Sequence, residues 1–84
     1  MDLKEARFWI DLIVEAEGGD LNYSKPLSAE RKLAKLIIQN KIDEEFDISE
    51  CSYDHYNRSR VIRAEIFLEK LTEARKIIFG DDIG

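Results

Sequence analysis

The sequence holds one cysteine, one proline, one tryptophan and one histidine, and each scarcity removes a class of protein. With Cys51 alone, no disulfide can close within the chain, a usage typical of reducing compartments. A single proline, Pro26, and four glycines leave long stretches with little to interrupt a helix. No run approaches the ~18 to 20 apolar residues of a membrane span. Lys4, Glu5, Arg7 and Asp11 break the only N-terminal run that could serve as a signal peptide. Positive charge is also short: 13 Lys and Arg against 18 Asp and Glu give a net charge of −5. Such a field repels phosphate, which disfavours a dedicated nucleic-acid or anionic-membrane binder. A soluble, cytoplasmic chain with no membrane contact is therefore expected.

Apolar material, by contrast, is sufficient for a core, with 44% hydrophobic and 37% charged residues in a chain of 84. That length fits one domain, residues 1–84, and buries only about 60 to 65% of the unfolded surface. The periodicity predicts an all-α fold, a small bundle of three to four helices with a long C-terminal helix. The helices are expected at about 3–17, 29–45 and 50–79, followed by a frayed tail at 80–84.

Asp2 and Glu5 have the spacing of a capping box, and Gly18-Gly19 is a stop signal for the first helix. Between them the apolar residues, Phe8 and Leu12 included, cover more than half the helix circumference, leaving Lys4, Arg7, Asp11 and Glu15 as a narrow polar strip. A helix this apolar must be covered on more than one side. Arg7 and Asp11, four apart, can pair. Gly18 to Leu27 is the clear loop; its oxygen-bearing residues do not follow the spacing of a calcium loop. Ser28 is a good N-cap for the second helix, with Ala29, Leu33, Leu36 and Ile37 at core spacing. Ile38 and Ile42 drift off that stripe toward Phe46. Asp43-Glu44-Glu45-Phe46-Asp47 is an acidic knot, and Asp47-Ile48-Ser49 reads as a break, with Ser49 or Ser52 capping the next helix.

The final run carries a seam at steps of three and four: Tyr53, Tyr56, Arg60, Ala64, Phe67, Leu71, Ala74 and Ile78. Ile62, Ile66 and Ile77 fall on roughly the opposite side. Either the run breaks near Asn57, where weak helix formers crowd, or it stays whole and a second chain covers the remainder. Gly80 is the expected stop. Arg60 interrupts the seam. It either grips an acid from the 43–47 knot or lays its stem along the seam with its head in water.

Cys51 and His55, four apart, are the sole Cys–His couple, but a zinc site needs about three or four ligands and no further set has the spacing. A chain this small also has little room for a catalytic cleft. No metal, cofactor or catalytic residue is expected, and the chain is not expected to be an enzyme. Arg58, Arg60 and Arg63 with Tyr53 and Tyr56 are the only basic and aromatic concentration, yet the arginines point different ways, so nucleic acid is the least favoured partner.

Two protein-binding readings remain. The first is a protein-interaction or regulatory module that self-associates, most simply as a dimer, through Phe8, Leu12, Ile62, Ile66 and Ile77. The alternative is an acidic inhibitor, of the type carried by phages or plasmids, that binds a basic protein through Asp43, Glu44, Glu45, Asp47, Glu50, Asp54 and Tyr56. In size, acidity and helical content the chain is similar to the small immunity proteins that block nuclease toxins. Their Ser-Gly-Ser-Asp-Leu-Ile-Tyr-Tyr-Pro run has no counterpart in SECSYDHYNRS, and no family is assigned.

Overall fold

A computed structural model of the chain describes residues 1–51 and 57–80. Three helices pack together: α1 (Leu3–Ala16), α2 (Ala29–Glu50) and α3 (Arg58–Phe79). Among the described residues there is no strand, and no helix is long and apolar enough to cross a membrane.

Local chemistry sets the helix ends. The Asp2 carboxylate accepts from the Glu5 N–H at 2.7 Å, satisfying one of the donors left over at a helix start. At the other end the Gly18 N–H donates to the Glu15 carbonyl at 3.1 Å and the Gly19 N–H to that of Val14 at 2.8 Å, the paired bonds of a Schellman stop. Gly18 has φ +77°, a conformation that costs a side chain dearly. Gly19 is needed for a different reason: a Cβ there would stand 2.8 Å from Ile37 Cδ1 and Val14 Cγ1. The Ser28 hydroxyl caps α2 by accepting from the Arg31 N–H at 3.1 Å, and Gly80 closes α3 with φ +68°.

The core draws Ala6, Ile10, Ile13 and Val14 from α1, Ala34, Ile38 and Ile42 from α2, and Leu71, Ala74 and Phe79 from α3. Each of the large aliphatics contributes on the order of 1.5–3 kcal/mol by leaving water. α3 packs against both other helices, which meet each other less closely. The radius of gyration, 13.3 Å over Cα atoms, exceeds the ~12 Å of a round domain this size. Two helices of 22 residues, each about 33 Å long, set that elongation.

The loop between α1 and α2 contributes to the core as well. Tyr23 is buried there, its ring 5.8 Å from that of Phe79 and beneath the Arg7 guanidinium at 5.2 Å. Its hydroxyl donates to the Asp11 carboxylate. Burial, reinforced by that bond to Asp11, holds the phenol proton well above the ordinary tyrosine range. The expected Arg7–Asp11 pair is loose, at 3.9 Å from Nε to Oδ2. Arg31 ties the loop to α3 by donating to the carbonyls of Tyr23 and Ile78, each at 3.2 Å.

Three expectations are corrected. The helix boundary expected around Asp47-Ile48-Ser49 is not there: α2 runs on to Glu50, and the Ser49 hydroxyl donates back to the Phe46 carbonyl at 2.7 Å instead of capping a new helix. α3 begins at Arg58 and not at residue 50, so of the two alternatives for the final run the break near Asn57 is the one observed. Asn57 is its N-cap, extended in backbone, with its side chain accepting from the Arg60 N–H at 2.8 Å. The C-terminal helix is thus no longer than α2. Third, α2 buries a different face from the one its aliphatic spacing suggests. Leu33 and Leu36 are exposed, while Ala34, Ile38, Ile42, Glu45 and Ile48 face inward.

Candidate functional site

The inward stripe of α2 includes an acid because α3 supplies its counter-charge. Glu45 is fully buried, and the Arg60 guanidinium grips both carboxylate oxygens at 2.9 Å. Lys41, one turn earlier on α2, adds an ammonium at 3.0 Å. Burial alone pushes the Glu45 carboxyl up, but the bonds from Arg60 and Lys41 outweigh it and hold the pKa below the ordinary 4.5. Arg60 therefore takes the first of its two expected roles, gripping an acid from the 43–47 knot. Its stem does not carry a free head to water.

From this cluster an aromatic row leads outward. The Lys41 ammonium lies 5.8 Å from the centre of the Phe67 ring. Phe67 meets Trp9 edge-on at 5.9 Å, and Trp9 meets Phe8 edge-on at 5.6 Å. Phe8 is 59% exposed. With Leu12 one turn on, it stands on the side of α1 turned away from Ala6, Ile10, Ile13 and Val14. Lys41, Phe67 and Trp9 were not singled out as site residues in the sequence. The Lys41–Glu45 spacing of four was the available signal.

Ile62, Ile66 and Ile77 are exposed on α3, opposite its buried seam of Ala64, Leu71 and Ala74. They do not form an unbroken stripe: Glu69, Lys70 and Glu73 fall on the same side between Ile66 and Ile77. Ile62 and Ile66 are the adjacent pair. Leu33 and Leu36 give α2 an exposed apolar pair of its own.

The acidic surface divides. Asp43, Glu44, Asp47 and Glu50 are exposed on one arc of the C-terminal half of α2, with exposed Phe46 at its margin. Glu45 drops out of the expected set, since its carboxylate is buried and held by two cations. Asp54 and Tyr56 lie outside the described residues, as do Tyr53 and the His55 half of the Cys51–His55 couple. The arc also works against its own helix. Asp47 and Glu50 sit at the negative end of the α2 dipole, and the last turn has no basic residue to offset them.

No protein-family model, curated protein or solved structure matches the chain.

Proposed function

We propose that this chain is a non-enzymatic helical module that works in the cytoplasm by binding protein, and that its first partner is a second copy of itself. The carrying observation is the Phe8–Leu12 pair: two large apolar side chains one turn apart, exposed on the outer face of α1 and continuous through Trp9 with Phe67. Exposed apolar side chains that adjoin one another, instead of being scattered singly, suit an interaction site. Ile62 and Ile66 on α3 offer a second such pair. In a two-fold dimer one patch packs on its own mate, so a single apolar face is enough to build the contact. Phe8→Glu and Ile66→Glu test the assignment by solution mass and circular dichroism. Either substitution, at an interface position, leaves helicity intact and lowers the mass to that of one chain. A folded Ile66→Glu chain that keeps the wild-type mass would remove Ile66 from the contact.

A second reading rests on the acidic arc. Asp43, Glu44, Asp47 and Glu50 concentrate charge at a helix end where it is unfavourable, and Phe46 beside them supplies an apolar anchor. A basic protein surface would relieve that repulsion, as an inhibitor of a cationic partner requires. Such association is steered by charge, so its rate falls steeply with added salt. A rate insensitive to salt would remove this reading.

A further inference from the structure

The α1–α2 loop closes a recess of about 400 Å³ against the C-terminal end of α3, lined by Leu3, Arg7, Tyr23, Leu27, Arg31 and Ile78 among others. It lies on a different side of α1 from Phe8 and Leu12. Among the described residues two guanidinium groups line it and no carboxylate does, in a chain whose net charge is −5. Arg31 donates to two backbone carbonyls and stacks over the Phe79 ring at 5.0 Å. Those acceptors are neutral, and among the described residues three of its five N–H groups make no hydrogen bond and no carboxylate pairs with it. Arg7 rests on the Tyr23 ring, with Asp11 too distant at 3.9 Å for a hydrogen bond. Asp11 is itself engaged by the Tyr23 hydroxyl. Among the described residues the Arg7 guanidinium has no hydrogen-bond acceptor.

The rim adds a second observation. Leu27 has φ +60° and is 89% exposed. It occupies the third position of the turn closed by the Ser28 N–H on the Lys25 carbonyl, at 3.4 Å, directly after Pro26. Proline suits the second position of such a turn, but a positive φ at the third is the place of glycine or asparagine. Leucine there strains the backbone and gains no burial in return. Strain of this kind collects where a side chain serves a binding site.

We infer that the recess binds a small organic oxyanion, a carboxylate or phosphate carried on an aliphatic body. The guanidinium forks of Arg7 and Arg31 take the oxyanion, for which their geometry is suited. The aliphatic part lies against Leu3, Leu27 and Ile78. The recess volume is within the range of small-molecule sites.

The test is a titration of the full chain followed by amide chemical shifts, with hexanoate and hexyl phosphate as probes and acetate and hexanol as controls for charge alone and apolar body alone. At least one of the two amphiphilic anions is expected to move the Leu27 and Arg31 amides saturably, and whichever binds more tightly identifies the head group. Acetate and hexanol should bind at least about tenfold more weakly, as should the better probe on Arg7→Gln. Leu27→Gly should weaken binding while raising the thermal midpoint, a combination that general damage to the fold does not produce. The inference is overturned if neither anion gives saturable shifts at ~10 mM, if hexanol matches both, or if a folded Arg7→Gln chain binds unchanged. None of these outcomes depends on self-association through Phe8 and Leu12.

Discussion

Arg60 and Arg31 are both partly buried between α2 and α3, near opposite ends of the pair, and they are satisfied in different ways. Arg60 closes on the buried Glu45 carboxylate, with Lys41 completing the cluster. Arg31 closes on neutral carbonyls and an aromatic face. At the first end the carboxylate meets its counter-charges within the chain, so the cluster belongs to the fold. At the second, Arg31 joins Arg7, and among the described residues no carboxylate lines the recess between them, which suits it to an outside anion. Position in the helix pair does not decide the difference. Among the described residues, the presence or absence of an acid on the facing stripe does.

Breaking the first end should have the largest effect. Arg60→Leu leaves Glu45 buried with Lys41 as its remaining cation among the described residues, and a loss of roughly 2–3 kcal/mol is expected in urea unfolding at neutral pH. Converting both partners, Glu45→Leu with Arg60→Leu, should recover most of that loss, because two apolar side chains of similar size need no counter-charge. A double variant as unstable as Arg60→Leu would show that the arginine matters for some other contact. The same cluster sets the acid limit. Because the folded pKa of Glu45 lies below its unfolded value near 4.5, its contribution is fully present above that value. It is lost as pH falls from there through the folded value. Glu45→Gln should flatten this part of the stability-against-pH curve, and an unchanged acid limb would assign acid unfolding to other carboxylates.

At the second end, Tyr23→Phe removes the hydroxyl bond to Asp11 and keeps the ring against Phe79. A loss of about 1.5–2 kcal/mol is expected, the scale of a hydrogen bond to a charged group. The thermal midpoint measures it, and no change would mean that water satisfies Asp11 equally well. Gly18→Ala is the smallest of the set, about 1 kcal/mol, from forcing a side chain into a positive φ at the α1 stop.

The contrast also explains what the sequence could convey. Helix ends set by short-range bonds were legible: Asp2, Gly18, Ser28 and Gly80 each do what their residue type and neighbours require. The inward face of α2 was not, because its stripe passes through Glu45. An acid looks like surface until a residue fifteen positions away is known to neutralise it. With Glu45 set aside, Leu33, Leu36 and Ile37 make the better-spaced stripe, yet two of those three are exposed. Tyr23 was missed for a related reason: loops are read as solvent, and nothing local announces that Phe79 and Arg31 will enclose one. The start of α3 turned on Asn57, whose capping strength matches that of the serines upstream. In the candidate site, helical periodicity sets Phe8, Leu12, Ile62, Ile66 and Ile77 off the buried stripes, and all five are exposed. The Trp9–Phe67 link between α1 and α3 required the tertiary packing.

Light scattering of the purified chain at low and high concentration, alongside Phe8→Glu, tests the account most directly. A wild-type mass of two chains or more, falling to one in a variant of unchanged helicity, is the predicted result. A wild-type chain that stays monomeric across the whole range would contradict self-association through this face.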